Sequence, residues 1–428
     1  MVLQSLFKYT ILGITLTSGV YFGILTLLAG VPFIQQHVFY LHRVTLTWFK
    51  DLNVPEQFGF LHNQVTPFAI QTSDNESLHA WHVLPLSIYR RHQTELLAQP
   101  SGFAPDVMSR LSFQLLRDDP EARLVIYLHG TAGCLASGWR TDSYRALYSA
   151  APDKIHVLAV DYRGYGLSTG SPTEAGLLID AVSVVNWAIN TAGIPPSRIV
   201  IFGQSLGTAV GISVVQYFAS QPDPISFAGI VLVASFSDVA TLLSTYKIGN
   251  SIPVLSPLAR IPSLLAYFNS FLHNTWLSKD RIADFIRLRE DFASTTSVGP
   301  SSLDHPHFSN FPPQPLYHVT FIHALDDADI PSSHTNMNFF HAVNATFEMP
   351  ISHEEFQQIR AEKLQSFGEG GEVVEWKTKN GGVIREEIVR YGVHDRVMSW
   401  PVVGDAVARA FEAAEMVAVE TIKKERLL

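Results

Sequence analysis

The chain predicts an α/β fold: a mostly parallel central sheet covered by helices on both faces. Two observations carry this. Apolar runs without polar alternation recur along the chain, separated by helical stretches, as strands buried on both faces require. Between two of them, Phe202-Gly203-Gln204-Ser205-Leu206-Gly207 reads as a strand end, a sharp turn and a helix start. The 428 residues suffice for one large domain with additions, and the net charge of −9 with no basic tract gives no footprint for nucleic acid. The single cysteine, Cys134, excludes an intrachain disulfide framework and a multi-cysteine zinc site.

Ile11 to Ile34 is apolar and uncharged. At about 24 residues it is long enough to span a bilayer. A cleaved signal peptide and a buried helix are the alternatives. The long apolar core and the poor cleavage site Leu28-Ala29-Gly30 favour a membrane anchor over residues 1–36. Lys8 precedes the span while Arg43 and Lys50 follow it, so charge sets no orientation. Asn75-Glu76-Ser77 and Asn344-Ala345-Thr346 are sequons that matter only if the body is luminal. Residues 37–64 form a juxtamembrane segment expected to pack on the domain, which runs over 65–428.

Within that domain Leu78–Val83 alternates before Pro85, as a strand near a sheet edge would, and residues 87–121, broken by prolines and Gly102, predict an irregular surface insertion. Strands follow at Arg123–Leu128, Ile155–Val160, Arg198–Phe202, Gly229–Ala234 and Tyr317–Ile322, with helices over 143–151 and 173–191 between them. Tyr317–Ile322 is the last clear core strand. Residues 235–311 interrupt the rhythm with an apolar helical insertion. It lies on the side where a nucleophile would emerge, so it predicts a lid; extra core is the alternative. Residues 346–391 predict a second insertion, a helix and a hairpin whose strands flank Asn380-Gly381-Gly382. A terminal helix follows over 402–424. There is no internal repeat and no signal of oligomeric state.

The G-x-S-x-G spacing has a mechanical reason. Gly203 and Gly207 lack a Cβ, so strand and helix approach closely and Ser205 projects its hydroxyl from a strained turn. A serine hydroxyl needs a base, and the base needs an orienting acid. Phe321–Pro331 offers Asp326, Asp327 and Asp329 after a strand; the position three residues before Ile330-Pro331 selects Asp327, with the other two as alternatives. His394 follows a strand-like run, precedes the terminal helix and comes after every other histidine, so it is the candidate base. The oxyanion of an acyl-transfer intermediate needs two donors. The N–H of Leu206 is one; the loop His129-Gly130-Thr131-Ala132-Gly133 supplies the other at Thr131 N–H, with His129 and Gly130 shaping the loop. Cys134 beside it is not expected to act as a nucleophile. His305 and His307 with Asp304 form an H-x-H without a further ligand pattern, so no metal is expected.

The order His129-Gly130, Asp161-Tyr162-Arg163-Gly164-Tyr165-Gly166-Leu167-Ser168, Gly203-Gln204-Ser205-Leu206-Gly207, Asp327 and His394 resembles the α/β-hydrolase superfamily. More narrowly, Ser168–Leu177, Trp81–Pro85 and the N-terminal anchor are similar to the α/β-hydrolase-domain protein twelve family. The resemblance covers roughly 65–410. It implies the α/β-hydrolase fold, Ser205 as nucleophile, Asp327 as acid and His394 as base. It also implies a single-pass membrane enzyme of the endoplasmic reticulum acting on lysophospholipid or monoacylglycerol esters without a cofactor. Two features depart from the family: the stretch between Asp327 and His394 is longer, and the lid carries no substrate signature. An esterase, thioesterase or protein depalmitoylase, and an inactive hydrolase fold serving as a binding module, are the competing expectations.

Overall fold

The computed structural model describes residues 2–248, 252–253, 260–296 and 316–425. Two helices open it, α1 (Val2–Gly30) and α2 (Pro32–Tyr40), separated at Val31. Among the described residues, one helix is long and apolar enough to cross a membrane: Gln4–Leu28, 25 residues with mean hydropathy 1.9.

Ten strands make the main sheet: β1 (Val65–Gln71), β2 (Ser77–Val83), β3 (Arg123–Leu128), β4 (Ile155–Val160), β5 (Ile199–Gln204), β6 (Gly229–Val233), β7 (His318–Ala324), β8 (Gln365–Ser366), β9 (Glu372–Lys377) and β10 (Val383–Val389). Their order is β1-β2-β4-β3-β5-β6-β7-β10-β9-β8. The pairs from β4 through β10 are parallel, and the outer pairs at both ends are antiparallel. The chain is therefore an α/β protein with a mostly parallel sheet, as its sequence predicts.

The strand composition explains the layering. Leu124, Ile126 and Leu128 of β3 point into one buried cluster, and Val125 and Tyr127 into another. Both faces are dry, so polar alternation is absent. The first face is covered by α3 (Glu174–Asn186), α4 (Leu206–Ala219), α7 (Ser278–Thr296) and α8 (Ser333–Asn344), the second by Arg140–Ser149 and α9 (Pro401–Glu425). Among the described residues between α4 and α7 lie two shorter helices, α5 (Val239–Thr245) and α6 (Pro262–Asn269).

Several expectations need correction. β2 lies second from the sheet edge, as expected, but is buried along nearly its whole length because Leu52, Phe58 and Phe60 of the segment between α2 and β1 cover one face; Trp81 donates its ring N–H to Leu52 O at 2.9 Å. Residues 87–121 hold three short helices, Leu86–Arg91, Gln93–Leu97 and Leu111–Arg117, with Phe113 and Leu116 in the core. Tyr317–Ile322 is not the final core strand: β10, expected in an inserted hairpin, pairs parallel with β7 from Val383↔His318 to Val389↔Ala324. Within 235–311, α7 belongs to the body, with Ile282, Ala283, Phe285 and Ile286 buried, whereas α6 has no buried residue. The H-x-H of His305 and His307, with Asp304, lies outside the described residues.

The loop after β4 is held by a buried ion pair. Arg163 donates from Nε to Asp180 Oδ1 at 2.9 Å and from its backbone N–H to Oδ2 at 2.8 Å, while its other nitrogens reach Asp74 at 2.8 and 3.0 Å. Asp180 is fully buried. Breaking such a pair leaves a buried charge with an incomplete shell. Asp180→Ala is expected to cost about 3 kcal/mol, the low end because Asp74 still faces the guanidinium. An unchanged midpoint in chemical denaturation would remove this pair from the list of structural supports.

Candidate active site

Ser205 sits between β5 and α4 with φ 52° and ψ −116°, left-handed territory that a side chain enters only under constraint. The constraint is visible. Its N–H donates to Val233 O at 2.9 Å, and its carbonyl oxygen accepts from Thr208 N–H and Oγ1 at 2.9 and 2.6 Å. A Cβ on Gly207 would lie 1.9 Å from Leu128 O, and one on Gly203 would lie 2.3 Å from Gly207 O. The glycines are there for backbone contact, while the strained φ falls on the serine itself.

The acidic loop follows β7. Asp327 is buried and faces four donor groups, three of them hydrogen-bonded to it. Oδ1 takes the N–H groups of Asp329 and Ile330, each at 2.9 Å. Oδ2 takes His394 Nδ1 at 2.7 Å and faces His323 Nε2 at 3.2 Å. Burial opposes the charge, but the hydrogen bonds from His323 and His394 outweigh it and hold the carboxyl well below its usual range. His323 was not singled out in the sequence. Its Nε2 also meets Ile330 O at 2.8 Å, and its Nδ1 meets Thr335 Oγ1 at 2.7 Å. Two acceptors at Nε2 place the proton there, leaving Nδ1 to accept from Thr335. Asp326 instead accepts from Val393 N–H at 2.8 Å, tethering the histidine loop to the acid loop. Asp329 faces the cavity.

His394 stands in the turn Val393–Arg396 after β10. Burial pushes its pKa down, but the hydrogen bond and charge of Asp327, with Asp395 and Asp329 nearby, push it further up, and the net shift is upward. Asp327, Asp329 and His394 offer ligand atoms within 4.8 Å of one another. Within that group Asp327 Oδ2 already accepts from His394 Nδ1, which fixes the orientation of the imidazole. Among the described residues, no hydrogen bond joins Ser205 Oγ to His394; the two line one cavity of about 560 Å³. Unliganded sites often leave this contact open.

The loop after β3 is clamped from both sides. The Arg140 guanidinium is buried and donates to the carbonyl oxygens of Gly130, Thr131 and Ala132 at 3.0, 3.1 and 2.9 Å, and to Cys134 O. On the other side, Ala132 N–H donates to Tyr40 O at 3.1 Å and Gly133 N–H to Val44 O at 3.0 Å. Thr131 and Leu206 both line the cavity beside Ser205. As the first residue of α4, Leu206 has no intrahelical acceptor for its N–H. Gly130 packs on Ser205: a Cβ there would lie 3.1 Å from Ser205 Cβ. His129 is fully buried, with Nδ1 2.7 Å from Gly130 O, and burial lowers its pKa. Burial pushes the Cys134 thiol up to about 11, and it does not line the cavity. Arg140 was not anticipated, because an arginine opening a helix carries no distinguishing pattern.

Residues 125–368 match the alpha/beta hydrolase family. Lysophosphatidylserine lipase ABHD12 of Xenopus tropicalis is 31% identical over 206 residues, 48% of this chain and 48% of its own. Protein ABHD12B of Homo sapiens is 35% identical over 142 residues, 33% of this chain and 36% of its own. The chain thus spans about half the length of the curated relatives it matches most extensively. A solved alpha-beta hydrolase from Vibrio vulnificus superposes with a TM-score of 0.48 at 13% identity, covering 89% of this chain and 92% of its own.

Two measurements check this geometry. A base must be neutral to accept a proton, so the rate of labelling by a fluorophosphonate falls as pH drops through the His394 pKa. That limb is expected above the ordinary imidazole value of 6.5. Asp327→Asn should move it downward and slow labelling by about 10³- to 10⁴-fold. A wild-type limb at or below the ordinary value contradicts the pairing. Separately, Ser205→Gly relieves the backbone strain, so thermal unfolding should show a gain of about 1 kcal/mol; a loss would mean that the turn is unstrained.

Proposed function

The chain belongs to the alpha/beta hydrolase family, and from that premise we propose that it is a membrane-anchored serine hydrolase. It cleaves carboxylic esters of single-chain lipids, of the lysophospholipid or monoacylglycerol kind. The observation that carries this reading is the shared cavity: Ser205 and His394 open into a space lined mostly by apolar side chains of α1, α2, α5 and α6, with Gln35, Asn269 and Asn274 among its polar groups. A space of this size with a few convergent polar groups suits an acyl chain with its ester at the polar end. The lipase name of the relatives points the same way. The resemblance adds the endoplasmic reticulum as the membrane, with α1 as anchor.

In this mechanism His394 Nε2 accepts the Ser205 proton as Oγ attacks the ester carbonyl carbon. The carbonyl oxygen becomes an oxyanion and accepts hydrogen bonds from Leu206 N–H and Thr131 N–H. Asp327 holds the imidazole through Nδ1 and stabilises the imidazolium. The C–O bond to the alcohol breaks, and His394 returns the proton to the departing alkoxide. Water then repeats the sequence on the acyl-enzyme, releasing the fatty acid and restoring the serine. No step calls on a cofactor.

Labelling of membranes that contain the chain with a fluorophosphonate probe is expected for wild type and lost in Ser205→Ala. A panel of lysophosphatidylserine, lysophosphatidylcholine, monoacylglycerol and an acyl thioester then ranks the substrates, with an oxygen ester of a single-chain lipid expected to lead. A folded wild-type protein that never labels sinks the enzyme reading. A preference for the thioester sinks the lipid-ester part alone.

A further inference from the structure

A helix serving only as an anchor turns every side chain toward lipid. Most of α1 fits that description: Leu12, Leu16 and Leu27 are each more than half exposed. Leu25, in its closing turns, does not, although Ile24 and Leu27 beside it are each more than half exposed. Leu25 is 4% exposed, packed against Leu243 of α5 and Leu264, Leu265 and Phe268 of α6. Ile24, Leu25 and Leu28 line the same cavity as Ser205 and His394, together with Leu242, Leu243 and Phe268.

The placement is held at polar joints. Gln35, just past the break between α1 and α2, donates from Nε2 to Leu28 O at 3.1 Å and to Phe271 O at 3.0 Å. Its Oε1 accepts from His273 N–H at 2.8 Å. One side chain thus joins the end of the spanning helix to the segment that follows α6. At the end of α2, Phe39 O accepts from Thr131 Oγ1 at 3.1 Å, and the carbonyl oxygens of Tyr40 and, past the helix, Val44 take the next two N–H groups of the same loop.

The length of α1 sets its depth. Twenty-five residues rise about 37 Å, more than the roughly 30 Å of a hydrocarbon core. The cavity-lining residues lie at the C-terminal end of that stretch, toward the bilayer interface. An acyl chain passing from a bilayer into this cavity exchanges one apolar surrounding for another. A route through bulk water would expose each methylene in turn.

We propose that the last turns of α1 form one wall of the acyl-binding site. A single acyl chain enters from the bilayer between α1 and α6 and lies along Ile24, Leu25 and Leu28, with its ester at Ser205. Leu25, the most enclosed of the three, limits the chain length accepted. This rests on the ester-hydrolase reading above.

The test uses the full chain in membranes, with monooleoylglycerol as long-chain probe and p-nitrophenyl butyrate as short-chain probe. Leu25→Trp narrows the wall and is expected to lower the long-to-short ratio of kcat/KM about ten-fold, the scale on which an apolar pocket discriminates by size. Leu16→Trp, on the lipid-facing part of the same helix, should leave the ratio at the wild-type value. Fluorophosphonate labelling reports folding. If Leu25→Trp does not label, Leu25→Ala replaces it and is expected to shift preference toward longer chains. A ratio unchanged in the labelling Leu25 variant, or changed equally in Leu16→Trp, overturns the proposal while leaving the hydrolase reading intact. A wild type that neither labels nor cleaves either ester overturns that reading first.

Discussion

The contact between Leu128 O and the backbone of Gly207 governs the geometry of the site. It brings the end of β3 against the first turn of α4 at a separation that only a residue without a Cβ permits. The loop carrying Thr131 leaves from the end of β3, and the helix carrying the Leu206 N–H begins one residue before Gly207. One packing distance therefore sets how far apart the two candidate oxyanion donors stand. It also wedges the nucleophile turn, so that Ser205 must take a positive φ between β5 and α4. A bulkier residue at position 207 would push apart both halves of the site at once.

The other half depends on satisfying a buried carboxylate. Asp327 lies at the carboxyl end of β7 and His394 beyond the carboxyl end of β10, where an α/β sheet gathers its loops. The parallel pairing of β7 with β10 brings those ends together. Four donors then define where the Asp327 charge can sit, and the imidazole has one orientation left. Asp326 completes the arrangement from outside by gripping the backbone at Val393.

Much of this was legible. Apolar runs located most strands of the parallel centre, and residue spacing singled out Ser205 and His394, which line one cavity, and Asp327, which is hydrogen-bonded to His394 behind it. The misreadings have physical causes. β10 does form the expected hairpin with β9, but its place in the main sheet was hidden because Arg385, Glu386 and Glu387 occupy its middle. Glu386 is buried there because Arg360 reaches it at 2.8 Å, and Arg385 and Arg409 pair with Glu387. A buried ion-pair network looks in sequence like a solvated surface. The helices within 86–117 are too short to establish a period. His323 and Arg140 escaped because each acts through backbone atoms and neighbours distant in sequence, and nothing local marks such a role. The closing turns of α1 are as apolar as the rest of the helix, so composition cannot separate a lipid-facing turn from one that lines a cavity.

Arg140 carries one more consequence. Its guanidinium binds successive carbonyl oxygens of the loop after β3, while the backbone carbonyls of Tyr40 and Val44 bind the N–H groups opposite. A segment tied on both edges has little conformational entropy left to lose. The cost of ordering it is met when the protein folds, so under the proposed mechanism it would not recur in each turnover as negative charge develops on a bound carbonyl oxygen.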